Sequence, residues 1–296
     1  MTARQISLAP AAQRRRPLGQ VIRQGMRRHP GGVVGGLVLV IVLLIAVFAG
    51  ALTDQSPTSV DPANRLSPPM AGHPFGTDNF GRDLYARTLY GARISLTAGF
   101  GVAVLALAGG IVFGLLAGYY RRLDGVLMRI MDAMMAFPGI ILAIGIVAAR
   151  GPSLTNVIIA LGVIFIPRVA RVVRSIVLSV RERQFVEAAR AVGASDLRVL
   201  VHHVLPNAWS PIVIQGTFIF AEGVLGEATL SFLGVGPPPE FPSWGNILGE
   251  ARLYIREAPW MMLLPGLALT LTVLSLNLIG DTIRDLIDPR VRRRMT

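Results

Sequence analysis

Six long stretches without a charged residue divide this chain. They are 17 to 27 residues long and cover positions 31–53, 94–120, 133–149, 151–167, 199–221 and 258–280. A helix needs about 20 mainly apolar residues to cross a bilayer, so the pattern predicts six transmembrane helices. The two 17-residue stretches, separated only by Arg150, borrow flanking residues, and the fifth helix starts late, near Ala208, and runs toward Leu233. Buried helices of a soluble protein are the alternative, but a chain of 296 residues rarely requires six such stretches.

Arginine placement predicts how these helices are oriented. All 29 basic residues are arginine, against 17 acidic residues, and the net charge is +12. Six spans put both ends of the chain on one side, and that side collects 22 of the arginines, against 7 on the other. By the positive-inside rule, both termini are expected in the cytoplasm. Attraction to anionic lipid then accounts for the basic balance, and a nucleic-acid partner is not needed.

The predicted organisation follows from these stretches and their charges. It consists of a cytoplasmic Arg-rich tail at 1–32, a first transmembrane helix at 33–52, an extracytoplasmic loop at 53–93, a core of five transmembrane helices at 94–280 with a cytoplasmic loop at 168–207, and a cytoplasmic C-terminal tail at 281–296. The first apolar stretch is too long for the core of a signal peptide, so we expect it to be a retained span. An interfacial helix is expected near 18–28.

The residue types that several kinds of chemistry need are missing or scattered. The chain has no cysteine, which excludes a disulfide framework, a thiolate metal site and a thiol nucleophile. Its four histidines are spread over both predicted sides and form no catalytic constellation. Asp78 and Asp83 lack the alternating ligands and distant glutamate of a calcium loop, so we expect a turn capped by Asp and Gly there. No catalytic residue and no metal site is predicted.

Glycines at every fourth position mark a packing face on the second predicted span. Gly110, Gly114 and Gly118 form a stripe of small residues along one side of the helix. Because lipid offers little hydrophobic drive for helix association, close backbone approach matters, and such stripes mark contact faces. The stripe does not say whether the partner helix belongs to this chain or to another.

Charged residues and a proline stand at the start of the third predicted span. Arg129 and Asp132 are three positions apart, so they share one helix face. We expect them to form a local ion pair that anchors this end of the helix. Pro138 follows and is expected to kink or to start the span.

Two acidic residues, Glu222 and Glu227, fall within the fifth predicted span. Acidic side chains inside a membrane are costly, so a place in the substrate pathway is a hypothesis for each. They are five positions apart, about 140° around a helix, and therefore do not share a face. We expect one to line a polar pathway or to face an amine of a solute, and the other to pair with an arginine of a neighbour.

The inner loop at 168–207 is too long for a simple connector in a small bundle. Phe185, Ala188, Ala189 and Val192 recur at helical spacing, which predicts one or two short amphipathic helices broken at Gly193. Such a helix suits docking into a groove of another protein. A helix that lies flat on the lipid surface fits the same pattern. The residues alone leave both open.

The same loop resembles a known motif. Glu187-Ala188-Ala189, then Gly193, then Leu205-Pro206 follow the spacing of the EAA motif of ABC importer permeases, with His203 where the broad family usually has isoleucine. Other segments resemble the branch of this family that imports peptides and nickel. These segments are 76–83, 90–96, 230–236, 242–245 and 281–290. The likeness covers about residues 14–294. The chain is similar to the C-type permease subunit of dipeptide, oligopeptide or nickel importers.

The resemblance implies which role belongs to this chain and which roles belong to partner subunits. It implies an all-α membrane protein with the type I importer permease fold, in which the EAA loop forms a coupling helix in a cleft of a cytoplasmic ATPase. The residues implied at that contact are Glu187, Ala188, Ala189, Gly193, Leu205 and Pro206. With no lysine, the chain lacks the usual phosphate-binding loop, so ATP and Mg are implied in two partner ATPase subunits and no cofactor in this chain. A second homologous permease, an extracytoplasmic solute-binding protein and a bacterial inner-membrane location are implied as well.

The solute stays open at this stage. Dipeptides, longer peptides, nickel complexes and glutathione all use permeases of this type. The lack of cysteine and the scattered histidines argue against direct nickel ligation and favour peptides only mildly. The alternatives are a self-assembling secondary carrier or channel, which predicts an internal repeat, and a membrane-bound enzyme, which needs clustered catalytic residues.

Overall fold

The computed structural model of this chain describes residues 30–287. Most of the predicted Arg-rich tail, the helix expected near 18–28 and the end of the C-terminal tail lie outside those residues. The described part is built from α-helices joined by loops and short turns. In chain order they are α1 Pro30–Leu52, α2 Leu84–Tyr119, α3 Arg121–Met135, α4 Gly139–Arg150, α5 Leu154–Val180, α6 Gln184–Ala191, α7 Asp196–Val199, α8 Leu205–Phe232, α9 Trp244–Ala251 and α10 Trp260–Ile287.

Five helical segments are long and apolar enough to cross a membrane, namely α1, α2, α5, α10 and the continuous run Asp196–Phe232 that ends in α8. The third predicted span is broken, because α3 and α4 meet at an angle of 91°. Pro138 precedes the first residue of α4, lacks an N–H group and disfavours a helical conformation at the residue before it. The 12 residues of α4 rise only about 18 Å, short of the roughly 30 Å hydrocarbon layer. The all-helical membrane fold is confirmed, with five spans and one bent pair.

Three helices extend beyond the apolar stretches that predicted them. α2 begins at Leu84, so the loop expected at 53–93 ends at Asp83, whose side chain caps the helix by accepting a hydrogen bond from the N–H of Ala86. α5 continues to Val180, so the inner loop is shorter than the predicted 168–207. α10 continues through the start of the tail predicted at 281–296. In each case the helix continues through charged residues, so the uncharged stretch predicted a helix that was too short.

The glycine stripe of α2 packs against α5 of the same chain. A Cβ placed on Gly114 lies 2.6 Å from Cβ of Val173, and one on Gly118 lies 2.5 Å from Cβ of Val177. Gly110 meets Val169 in the same way. The three valines are four residues apart and fully buried. The stripe therefore brings the two helices into backbone contact, as close packing in lipid requires.

The ends of the spans define two sides. The side that carries the 53–83 loop and α9 is called the outer side, and the side that carries α6 and α7 is called the inner side. α1 lies at the edge of the bundle against α10, where a Cβ on Gly35 would lie 2.8 Å from the carbonyl oxygen of Ser275. The remaining face of α1 exposes large apolar side chains to the lipid, among them Val34, Leu37 and Val47.

Candidate functional site

The inner loop between α5 and α8 is a folded unit. α6 carries Glu187 in its first turn and stops at Ala191, and Gly193 then adopts a φ of +87°. That left-handed conformation favours glycine because a Cβ would crowd the backbone. α7 follows after two residues and leads through a π-helical stretch, Leu200–Val204, into α8. The prediction of short helices broken at Gly193 is confirmed.

Three valines anchor this loop to the transmembrane core. Val186 on α6, Val199 on α7 and Val204 before α8 are all fully buried and belong to the main apolar cluster of the bundle. Burying a valine contributes roughly 1.5–3 kcal/mol relative to exposure. The loop is therefore held firmly on one face, which leaves its other face free.

The free face presents the residues of the sequence motif. Glu187, Ala188 and Gly193 are exposed, and Ala189 and Leu205 are half-buried. Two large apolar side chains next to them stand far out, with Val192 86% and Leu197 71% exposed. Pro206 is exposed in the first turn of α8. Clustered apolar exposure of this kind marks an interaction site.

Polar contacts tie the loop to the inner end of α2. The Tyr119 hydroxyl donates to Asp196 Oδ1 at 2.6 Å, and the Arg190 guanidinium stacks 5.1 Å from the centre of the Tyr119 ring. Arg181 Nη1 donates to the carbonyl oxygen of Gly118 at 2.8 Å. These contacts connect the inner loop to α2, the helix that packs most closely on α5.

The outer loop is locked by a turn and a buried charge network. Asp78 Oδ1 accepts the main-chain N–H groups of Phe80 and Arg82, at 2.8 and 2.9 Å, which confirms the predicted Asp-capped turn. Arg82 also bonds Asp78 Oδ2 at 2.6 Å and Glu250 on α9 at 2.5 Å. Arg87, fully buried in the first turn of α2, lies 3.2 Å from the same Glu250 oxygen. The network fixes α9 to the start of α2.

Glu250 is partly shielded from solvent in this network. Burial raises the pKa of its carboxyl group, and the nearby guanidinium groups of Arg87 and Arg82 oppose that rise. The carboxylate therefore depends on the two arginines for its charge. No group of three or more potential metal ligands occurs within residues 30–287.

Glu227 lies inside the bundle. Its side chain is fully buried and accepts hydrogen bonds from Ser95 on α2 at 3.0 Å and from Ser231 on α8 at 2.6 Å. Ser95 in turn accepts the main-chain N–H of Trp244, the first residue of α9. Glu227 thus joins three helices, α2, α8 and α9.

Glu222 occupies a different environment on the same helix. Arg168 Nη1 on α5 lies 2.7 Å from Oε1 and 2.8 Å from Oε2 of Glu222. The side chains are 40% and 41% exposed in this chain. Of the two acidic residues, Glu222 is therefore the one paired with an arginine, and it is also the one at an accessible surface.

Arginines on the inner half of α5 bind the bent pair of helices. Arg171 pairs with Asp132 at 2.6 Å, and Arg174 makes two contacts with Asp124, at 2.5 and 2.6 Å. The expected local pair of Asp132 with Arg129 is wrong, because Asp132 turns toward α5 instead. These contacts fasten α3 across the inner end of α5.

Sequence reasoning missed the partners of the buried charges. Arg168 and Glu222 are 54 positions apart, and Arg82 and Glu250 are 168 apart. Spacing along one helix carries no information about such pairs. Charged residues in or beside apolar stretches do predict that each has a partner of opposite charge. They do not identify which residue that partner is.

These features define a multi-span membrane protein with a firmly anchored inner loop. The family described as binding-protein-dependent transport system inner membrane component matches residues 110–293, and the chain belongs to this family. A second match, to the N-terminal transmembrane domain of oligopeptide transport permease C, covers residues 17–69. The chain is therefore an inner-membrane transporter subunit rather than a catalytic enzyme, and the self-assembling carrier is set aside.

Relatives match over nearly the whole chain. A peptide transport system permease protein of Brucella abortus is 51% identical over 90% of this chain and 90% of its own length. A dipeptide transport system permease protein of Alkalihalophilus pseudofirmus is 45% identical over 90% of this chain and 88% of its own. A glutathione transport system permease protein of Pectobacterium atrosepticum is 39% identical over 94% of this chain and 93% of its own. A solved chain of an amino acid ABC transporter is similar at 16% identity and a TM-score of 0.42, over 68% of this chain and 94% of its own, too distant to support an argument.

Proposed function

We propose that this chain is one of two membrane subunits of an ATP-driven importer that takes up di- or oligopeptides from a solute-binding protein. The observation that carries the proposal is the inner loop, which buries one face in the bundle and exposes the EAA residues on the other. Two ATPase subunits, a second homologous permease and the binding protein complete the assembly. ATP and Mg are bound by the ATPases.

The coupling contact consists of the exposed motif face. Glu187, Ala188 and Gly193 touch the ATPase, with Val192 and Leu197 supplying apolar contact area at the same surface. Ala189, Leu205 and Pro206 shape the base of this surface. Closure of the ATPases on ATP pushes α6, and the contacts of Arg190 and Arg181 pass that movement to α2.

Peptides are the class of solute that the relatives support. The names of the Brucella and Alkalihalophilus proteins state peptide and dipeptide transport, and these are the more similar sequences. Glutathione, in the name of a third relative, is itself a modified tripeptide. Glu222 lines the pathway for this solute, whereas Glu227 holds α2, α8 and α9 together.

The orientation that we propose puts both termini and the inner loop in the cytoplasm. It rests on the excess of arginine at the inner ends of the spans and in both tails. The outer loop, with its Asp78–Arg82–Glu250 network, then faces the binding protein.

Reconstitution tests the proposal directly. The chain is co-expressed with the second permease and the ATPase subunits of the proposed importer and purified as a complex. The complex is then placed in liposomes with the binding protein and radiolabelled peptide. We expect ATP-dependent peptide uptake that requires the binding protein and is lost in a variant with Glu187→Arg. Uptake without ATPases, or a chain that purifies only with copies of itself while a known importer stays intact, would contradict the proposal.

A further inference from the structure

The Arg168–Glu222 pair lies near the middle of the spanning region. Arg168 is fourteen residues from the outer end of α5, and Glu222 is ten residues from the outer end of α8. At 1.5 Å per residue these positions are about 21 and 15 Å from the outer ends. In a hydrocarbon layer of roughly 30 Å, the pair stands close to the midplane.

The pair combines charge with exposure, which indicates a surface that does not face lipid. About 40% of each side chain is uncovered. Charged groups at the bilayer midplane are rare and face the interior of an assembly or a water-filled path, because hydrocarbon solvates them poorly. The face of α5 and α8 that carries the pair is therefore an internal surface of the assembled transporter.

Other polar residues continue this surface along α8. Gln215 and Thr229 are seven residues before and after Glu222, so all three share one helix face. All three are half-buried, and the side-chain oxygen of Gln215 has no hydrogen-bond partner among the described residues. With Arg168 they form a polar lane, defined here as Gln215, Glu222, Thr229 and Arg168, about 21 Å long. The Thr229 hydroxyl donates to the carbonyl oxygen of Leu225 on the same helix, so Arg168, Glu222 and Gln215 carry the polar character of the lane.

We propose that Arg168 and Glu222 bind the two charged ends of a short peptide, Arg168 the carboxylate and Glu222 the ammonium group. The inference rests on the proposed function, peptide import. In the empty lane the two residues neutralise each other. A bound zwitterion replaces one ion pair by two, so the lane has zero net charge both empty and loaded. A solute with two opposite charges thus crosses the midplane without leaving any charge unpaired.

The geometry suits short peptides. The terminal charges of an extended dipeptide are at most about 7 Å apart, since each residue spans about 3.3–3.6 Å. Arg168 and Glu222 must separate by that distance to receive it. Both are long side chains on different helices, and about 40% of each is exposed, so a change of rotamer is the expected way for them to separate. The side-chain oxygen of Gln215, at the inner end of the lane, is buried and has no hydrogen-bond partner among the described residues.

Equilibrium dialysis of the purified complex, without binding protein, tests this assignment. The probes are radiolabelled dialanine, which has both charges, dialanine amide, which is cationic, and N-acetyl-dialanine, which is anionic. The variants are Arg168→Gln and Glu222→Gln. Arg171→Gln is the matched control, because Arg171 is one turn further along α5, is similarly exposed and pairs with Asp132 instead.

Opposite changes in selectivity are the expected result. The wild-type complex binds dialanine tightest, and each single variant binds it about tenfold or more weakly, the loss expected for one charged hydrogen bond. Arg168→Gln should then prefer dialanine amide, and Glu222→Gln should prefer N-acetyl-dialanine, while Arg171→Gln keeps the wild-type order. A structural ion pair would not reverse the preference between two probes.

Two outcomes would overturn the assignment while leaving peptide import intact. One is a wild-type complex that imports dialanine from its binding protein but binds none of the probes in dialysis. The other is an equal loss for all three probes in both variants, which would identify the pair as a contact within or between permease subunits. Failure of wild-type import, measured separately in liposomes, would instead contradict the proposed function on which the assignment rests.

Discussion

Replacing Gly114 with alanine adds one methyl group at the close contact between α2 and α5. The new Cβ would lie 2.6 Å from Cβ of Val173 and 2.7 Å from the carbonyl oxygen of Ala170. Ordinary contact begins at 3.4 Å, so the helices must separate by about 0.8 Å. Because one of the obstructing atoms belongs to the backbone, no side-chain rotation removes the clash.

The expected cost follows from this geometry. Overpacking of a well-packed contact costs about 1–3 kcal/mol. Alanine forms helix better than glycine by up to about 1 kcal/mol, which offsets part of that cost. Gly145→Ala on α4 is the matched control, because a Cβ there meets nothing within 4 Å and only the gain in helix propensity remains.

Heating the purified complex and measuring the fraction that stays assembled by size-exclusion chromatography gives an unfolding midpoint for each variant. One kcal/mol corresponds to about 2–4 °C for a chain of 150–250 residues. We expect Gly114→Ala to melt several degrees below wild type and Gly145→Ala to melt at or above it. Equal midpoints for the two variants would refute the close α2–α5 contact.

Three further predictions concern single residues. Gly193→Ala forces a non-glycine residue into a left-handed conformation at about 1–2 kcal/mol; we expect normal assembly but weaker stimulation of the ATPase by loaded binding protein, and unchanged stimulation would contradict a coupling role. Glu227→Leu leaves two serine hydroxyls without an acceptor, at about 1–3 kcal/mol each, so its midpoint should fall further than that of Glu227→Gln, which keeps one acceptor. The pKa of Glu250 is raised in the folded protein, so its contribution to stability is present at low pH and is lost as the pH rises above about 4.5. The unfolding midpoint of wild type relative to that of Glu250→Gln should therefore be higher at pH 4.5 than at pH 8. A difference that does not change with pH would refute the raised pKa.

The number of spans was readable from the sequence because the signal is local. Whether a stretch can span a membrane depends on its own length and hydropathy. Five of the six uncharged stretches appear as spanning helices. The third appears as the bent pair, in which Pro138 separates the end of α3 from the short apolar helix α4. The sequence did point to Pro138, but the angle of 91° depends on the packing of α3 on α5.

Helix ends were read less well than helix existence. Arg168, Arg171 and Arg174 looked like loop residues because each is charged. In the fold each has an acidic partner on another helix, and pairing lets the helix continue. A pattern of charges along one chain does not reveal partners more than thirty positions away.

The inner loop was predicted well for a different reason. Its helix, its glycine and its proline are all local features, and the spacing of the EAA residues identified the family. What the sequence left open was whether the loop lies on lipid or meets a protein. The structure favours contact with a protein. Val186 and Val199 are buried in the bundle, whereas Val192 and Leu197 are exposed on the opposite face of the loop.

Cross-linking of the inner loop to the ATPase tests the central claim most directly. The natural chain has no cysteine, so Ala188→Cys gives a single reactive position on the exposed face of α6. Leu253→Cys, 73% exposed on the outer side, is the control. In native membranes that contain the whole assembly, with a cysteine in the ATPase cleft, we expect an oxidant to link Ala188→Cys to the ATPase in a nucleotide-dependent yield and Leu253→Cys not at all. Linkage from Leu253→Cys, or none from any exposed position of α6, would contradict the account.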